Sequence, residues 1–403
     1  MQYKQIHADM HRYCGEKNVG ARHALPRKKI MRILILNYRD RTHPLAGGAE
    51  VHLHRIFGKL AELGHEVTLF TTNYKIGSKS APKFEVLDGI SVIRFGPDAL
   101  FQLNVLFLAR FIKKFKPDIV VEDLNKLPLF SPYITKIPKL IQIHHLWKAS
   151  IFREAFFPVA LAVWLGERII PFVYRKCHFA AVSPSAKNEL CELGIAKENI
   201  SVIYNGTENE FLETEKVRVK SLYFLWLGRF RKYKGVWVAF EAFKIFAKKH
   251  PEVKLVFAGS GPEEKKMRIK AKEWGLEANV EFLGTVSGQK KIELYSKALC
   301  LLQTSYKEGW GLTVIEAAAA GTASIASDTS GLCDSVKDRK TGLLFKVGSA
   351  ADCAQKMEEL YSNENLRKSL ESEAKSHADS FSWETSAKET LFLMQKIIEG
   401  NRR

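Results

Sequence analysis

The residues best suited to chemistry cluster in one short stretch, Glu308-Gly309-Trp310-Gly311-Leu312-Thr313-Val314-Ile315-Glu316. Two carboxylates eight positions apart flank a glycine-bearing approach to an Ala-rich helix, expected over 314–320 and ended by Gly321. Glu308 falls on the loop and Glu316 in the first turn. Amides at a helix start lack intrahelical acceptors and carry partial positive charge, which suits a phosphate. The carboxylates are then left to accept hydrogen bonds from sugar hydroxyls. A plainer reading exists for Glu316. Thr313-x-x-Glu316 has capping-box spacing, in which Glu316 only satisfies the Thr313 amide. That reading leaves Glu308 and the two glycines unexplained.

Cations stand in Gly228-Arg229-Phe230-Arg231-Lys232-Tyr233-Lys234-Gly235, between an expected strand (222–227) and the helix after it. Arg229 offers a planar fork and Lys234 a point charge to an anion. Arg231 and Lys232 are expected in solvent, and the alternative is a basic loop on a basic protein. Gly47-Gly48-Ala49-Glu50 opens a helix after the first strand. It admits a phosphate close to the backbone, or is merely a tight turn. It is not G-x-G-x-x-G, so a dinucleotide fingerprint is unsupported. Gln142-Ile143-His144-His145 ends another strand, where an imidazole would face a cleft, and a structural role is the alternative. Glu122-Asp123-Leu124-Asn125 ends a further strand, and its carboxylates either meet an acceptor or cap the next turn.

The elements that must hold these residues alternate. Expected strands at 32–38, 66–72, 118–121, 140–144, 179–182 and 200–204 interleave with helical stretches, and 84–95 reads as two short strands around Asp88-Gly89. The alternation stops over 207–220, a charged linker, then restarts with strands at 222–227, 254–258, 280–283, 300–303 and 323–326. Two βαβ series predict an α/β chain of two doubly wound domains. Ligands of such sheets bind at the strands' carboxyl ends, so two domains would share a cleft.

The 403-residue length agrees with two domains. The formal charge of +18 favours anionic partners, although no block of like charges resembles a nucleic-acid arm. Six scattered cysteines, with no C-x-x-C pair, read as reduced thiols of a cytosolic protein. Residues 1–29 are polar, basic and aperiodic, and the pattern changes abruptly at Met31. They are expected to be an unstructured appendage, with a start at Met31 as the alternative. No apolar run is long enough to span a bilayer. Two stretches with apolar faces and basic ends, 100–116 and 155–176, are each either core-packed or laid on a lipid interface.

Together these motifs resemble the family-4 retaining glycosyltransferases of the GT-B fold. The likeness runs from about Met31 to the C-terminus and is strongest over 228–344. It rests on EGWGLTVIEA, on Arg229 to Gly235, and on FAGSGPEEKKMR, NVEFLGTVS and GTASIASDTSGLCDSVKDRKTGLLF. In the first half it rests on GGAE, GHEVTLFTT, IHHLW, VSPSAKNEL and VIYNG. Ala323 stands where the family often has proline.

The resemblance implies two Rossmann-like domains facing an interdomain cleft. The acceptor domain would cover 31–212 and the nucleotide-sugar donor domain 213–381, after an extension over 1–30. A final helix within 382–403 would return to the first domain. Arg229 and Lys234 would bind the donor diphosphate, Gly48 would border it, and Glu316 would accept from the ribose hydroxyls. Amides at Gly311, Leu312 and Thr313 would contact sugar and phosphate, with Val286 near the base. Glu308 would hold the transferred sugar's hydroxyls and face the reacting carbon, and His144 would sit near sugar and acceptor. The implied reaction moves a hexose-type sugar, with retention, from a UDP- or GDP-sugar to a glycan or lipid-linked hydroxyl. No D-x-D motif occurs, in keeping with a reaction that needs no metal and no cofactor beyond the co-substrate. The implied location is cytoplasmic, with a peripheral place on an anionic membrane surface as a further expectation, and nucleic acid is not an expected partner. The weighed alternatives are a sugar-nucleotide epimerase, a phosphorylase and a non-catalytic sugar-nucleotide binder.

Overall fold

Strand Arg32–Leu36 (β1) is the central strand of the first sheet, and its residues 33–36 are fully buried. That is what a run apolar on both faces requires in a sheet covered by helices on both sides. The computed structural model describes residues 30–97, 101–124, 127–212 and 220–401, without the side chains of 102–107, 209 and 212. The expected appendage and half of the expected linker, 213–219, lie outside the described residues.

The strands that follow β1 in the first half are Glu66–Asn73 (β2), Lys75–Ile76 (β3), Lys79–Ser80 (β4), Phe84–Leu87 (β5), Ile90–Pro97 (β6), Ile119–Asp123 (β7), Lys139–Ile143 (β8), His178–Ala181 (β9) and Ile200–Val202 (β10). Seven of them join β1 in the order β10-β9-β8-β7-β1-β2-β6-β5, all parallel except β5 against β6; β3 and β4 form a separate hairpin. The second half contains Tyr223–Leu227 (β11), Lys254–Ala258 (β12), Val280–Phe282 (β13), Cys300–Gln303 (β14), Ser324–Ser327 (β15) and Gly342–Phe345 (β16). Its parallel sheet orders as β13-β12-β11-β14-β15-β16.

In each sheet the strand order reverses beside the first strand: between β1 and β7, and between β11 and β14. The crevice outside such a switch point is where doubly wound sheets bind ligands. The loops leaving those four strands carry Gly47, Asp123, Arg229 and Glu308.

One adjustment to the expected organisation follows from packing. The stretch 207–220 is not all linker: Asn209–Leu212 forms a helical turn, and Phe211 buries in a core with Tyr295, Val314 and Ile315. The last helix, Trp383–Gly400, inserts Trp383, Leu391, Met394 and Ile397 into the core of Met31, Ile33 and Leu60. This last described helix therefore packs on the half that contains β1.

Candidate active site

The loop after β14 brings the first carboxylate to the cleft. Glu308 Oε1 accepts from Lys234 Nζ at 2.5 Å, Ser305 Oγ at 2.7 Å and Gln303 Nε2 at 2.9 Å. Lys234 ends the 3-10 turn Lys232–Lys234 after β11, so neighbouring strands supply the two halves of this pair. Burial disfavours the Lys234 ammonium, but the Glu308 carboxylate outweighs it and holds the lysine above its ordinary pKa. Arg229 reaches across the cleft: Nη1 donates to the Leu45 carbonyl at 3.3 Å and Nη2 to Tyr233 Oη at 3.3 Å.

The helix after Glu308 is Leu312–Ala319, two residues earlier than the spacing predicts. Gly311, at φ 79°, is its N-cap; the left-handed backbone is open to glycine without strain. Thr313 therefore lies inside the helix, and the capping-box reading of Glu316 is overturned. Glu316 sits in the second turn, too far along to reach back to the cap. Its carboxylate turns to the helix Gly288–Lys297, where Oε1 accepts from Lys291 Nζ at 2.6 Å and Oε2 from Tyr295 Oη at 3.0 Å. Thr313 Oγ1 is buried without a hydrogen-bond partner. Val286 packs against the cluster holding Val314 and Ile315, while Leu312 packs against the first-half core.

The capping carboxylate belongs instead to the first-half helix, Gly48–Glu62. Glu50 accepts from the Gly47 amide at 2.6 Å, which fixes the Gly-Gly turn. Burial raises its pKa, with the Asp123 charge adding to the effect. Gly48 is the first helical residue, with open space where a side chain would stand.

His144 follows β8, buried, with Nε2 at 3.3 Å from Asp123 Oδ2. Burial opposes its protonation; the Asp123 charge prevails, helped by Glu50, and raises its pKa. His52 lies 4.9 Å away ring to ring, and burial plus the His144 charge pull it down to about 3. Asp123 Oδ1 and Gln142 Nε2 beside this pair are buried without hydrogen-bond partners. The two acidic residues ending β7 thus divide. Glu122 is structural, accepting from the Leu129 amide at 2.8 Å and from Tyr174 Oη. Asp123 faces the imidazole.

The halves meet at the same loops. The Trp147 and Tyr233 rings lie 5.4 Å apart, Glu154 accepts from the Tyr233 amide, and Arg153 stands 4.6 Å over Tyr306. Lys307 pairs with Glu189 of the first half. At Gly309 an added Cβ would lie 2.1 Å from the His144 carbonyl oxygen.

The family description "Glycosyltransferase Family 4" matches residues 46–211 and "Glycosyl transferases group 1" matches 208–377. The chain belongs to the family-4, group 1 glycosyltransferases. An uncharacterized glycosyltransferase of Methanocaldococcus jannaschii is 25% identical over 384 residues, covering 88% of this chain and 96% of the relative. The crystal structure of Anabaena HepE with UDP and glucose superposes with a TM-score of 0.74 at 17% identity, over 91% of this chain and 100% of that one. Sucrose-phosphate synthase from Thermosynechococcus elongatus gives 0.75 at 20% identity, over 92% and 100%. The fold is GT-B.

In this glycosyltransferase the cleft brings Glu308, Lys234 and Arg229 into one cluster, and Glu316 into a second at the far side of the helix start. His144 meets the first cluster through its carbonyl contact with Gly309. Reading the sequence alone missed Lys291 and Tyr295, which hold Glu316, and left Asp123 undecided. Lys291 and Tyr295 sit at i and i+4 on one helix, the one signal that they share a face. Gly309→Ala tests whether the contact between halves matters. We expect kcat/KM to fall at least ~10-fold, because an ångström of misplacement in a site costs that much or more. An unchanged kcat/KM would show that the halves need not close to this distance.

Proposed function

We propose that this glycosyltransferase transfers a hexose-type sugar, with retention of configuration, from a nucleoside diphosphate sugar to a hydroxyl of a glycan or lipid-linked acceptor. The observation that carries the reading is the Lys234–Glu308 pair beside the Leu312–Ala319 helix start, with Arg229 across the cleft. Cleaving the sugar–phosphate bond puts negative charge on the departing diphosphate and positive charge on the ring carbon. Arg229, Lys234 and the amides at Gly311, Leu312 and Thr313 stabilise the first charge with no metal ion and no further cofactor. Glu308 faces the second and holds the sugar hydroxyls. The acceptor attacks on the face the diphosphate leaves, and the diphosphate oxygen takes its proton. His144, held by Asp123, borders sugar and acceptor.

Glu316 reads the ribose diol, Gly48 borders the diphosphate and Val286 lies near the base. A uridine or guanosine donor suits this arrangement, and the UDP bound to HepE supports uridine. Among the described residues no helix is long and apolar enough to cross a membrane. We place the enzyme in the cytoplasm, meeting lipid-linked acceptors at an anionic membrane surface.

Thermal melting with UDP, GDP and ADP, on wild type and Glu316→Ala, tests the donor site. A nucleotide at ~100 times its Kd adds ~2.7 kcal/mol. For 403 residues, at about 2.1 cal/mol/K each, that is a shift of ~3 °C. One nucleotide should stabilise wild type, and Glu316→Ala should lose most of the shift. No shift with any of them at millimolar concentration would favour the non-catalytic reading. Transfer that persists in a chelator supports the metal-free step, and its loss would overturn that step.

A further inference from the structure

The two stretches with apolar faces and basic ends part company in the structure. The helix Phe101–Phe115 buries Phe101, Leu108, Ile112 and Phe115, and among its described side chains it exposes Arg110, Lys113 and Lys114. It is a core helix. The helix Phe157–Val173 does the reverse. Leu165, Ile169 and Phe172 are 46, 41 and 77% exposed, and Phe156 and Phe157 at its start are 76 and 65% exposed.

With Pro158 and Ala162, also exposed, these residues recur at 158, 162, 165, 169 and 172. Alternating steps of four and three put them on a single stripe. Nothing among the described residues covers that stripe. Its far end meets the turn at Phe130, whose amide donates to Tyr174 Oη at 2.9 Å and which exposes Phe130 and Tyr133.

The charge around the stripe is mainly positive, the exposed Glu192 of the neighbouring helix being paired with Lys148. Between 127 and 177 the sequence contains seven Lys or Arg and only two acidic residues, Glu154 and Glu167. Both carboxylates turn inward onto backbone amides: Glu167 accepts from Trp147 and Lys148, and Glu154 from Tyr233. Exposed on the helix and just beyond it are Arg168, stacked 3.8 Å over the Trp164 ring, Arg175 and Lys176. An apolar stripe flanked mainly by cations complements an anionic lipid surface. It does not complement its own copy, since a two-fold contact sets like charges face to face.

We infer that the Phe157–Val173 face docks on an anionic bilayer, its aromatic and aliphatic side chains entering the headgroup boundary while Arg168, Arg175 and Lys176 meet lipid phosphates. The inference rests on the glycosyltransferase reading and narrows its acceptor to one presented by a membrane. The geometry suits delivery to the site. Phe156 and Phe157 lie two and three residues after Glu154, which bonds the Tyr233 amide of the cationic loop at the cleft rim.

The experiment is co-sedimentation with phosphatidylcholine vesicles, with and without phosphatidylglycerol, at low and physiological salt. It compares wild type with Leu165→Ser/Ile169→Ser/Phe172→Ser and with Arg168→Gln/Arg175→Gln/Lys176→Gln. These side chains are exposed, so melting temperatures should stay near wild type. Wild type should pellet with phosphatidylglycerol vesicles and hardly with phosphatidylcholine alone. The serine variant should lose at least ~10-fold in partitioning. The glutamine variant should lose about fivefold per cation removed. No binding to anionic vesicles at low salt, or equal binding by the serine variant, overturns the inference. So does a lipid-free dimer that the serine variant dissolves, which would make the stripe a self-association surface. UDP melting of the same samples separates the two claims. A nucleotide shift without lipid binding rejects only the docking face; lipid binding without a nucleotide shift leaves the docking face standing and rejects the donor site.

Discussion

Replacing Glu308 by alanine should lower kcat by ~10²–10³-fold, the loss seen when one preorganised charge-stabilising group is removed, while the donor KM changes little. Glu308 is the only carboxylate among the described residues that touches Lys234, and three donors converge on its Oε1. A carboxylate so constrained costs little reorganisation when positive charge develops on the sugar ring. Its effect belongs to the transition state, so the loss should appear in kcat and kcat/KM alike. Glu308→Gln keeps shape and some hydrogen bonding but not charge, and should retain more activity than alanine. Steady-state kinetics at saturating donor decide the matter, with UDP melting to confirm that the cleft still binds nucleotide. Near-normal turnover in the alanine variant would remove Glu308 from the reaction.

The particular residues show what a single sequence makes legible. Apolar runs such as 33–36, buried on both sides, announce central strands because no other placement satisfies them. The cleft loops were legible because glycine and charge punctuate strand ends, and strand order then sets those ends side by side. Glu316 was harder. Its spacing from Thr313 fits a cap, and only the left-handed Gly311, which starts the helix at Leu312, shows that Thr313 cannot be that cap. Its true partners lie 25 and 21 residues away on another helix, where local spacing has no reach. Asp123 ends β7 and His144 follows β8, adjacent parallel strands, and their pairing depends on register. The face of Phe157–Val173 had the same limit: apolarity is written in the residues, but exposure depends on what packs against them.

Lys234→Met should also cost ~10²–10³-fold in kcat, because it removes the cation proposed to meet the departing diphosphate. Lys234→Arg should not restore it, since a planar fork does not fit the position of a point charge. The lysine substitution has a second effect, mirrored in Glu308→Gln, which strands the ammonium instead. It leaves a carboxylate with no cation in a site both side chains occupy mostly shielded from water. Outright loss of one partner of a buried pair costs ~3–5 kcal/mol. Some solvent reaches this pair, so a smaller loss of ~1–3 kcal/mol is expected after that discount. The double variant Lys234→Met/Glu308→Gln should recover part of that stability while remaining as inactive as the worse single variant, since the two side chains act as one unit. The pH dependence has a definite sign. Lys234 has a folded pKa above its unfolded value, so its contribution is fully present below ~10.4, the ordinary lysine value, and is lost as pH rises through the folded pKa. The melting gap between wild type and Lys234→Met should therefore be flat through neutral pH and close only in strong alkali. A gap that closes near neutrality would mean that the lysine is not held charged by Glu308, and that the cation proposed to meet the diphosphate is absent when the substrate arrives.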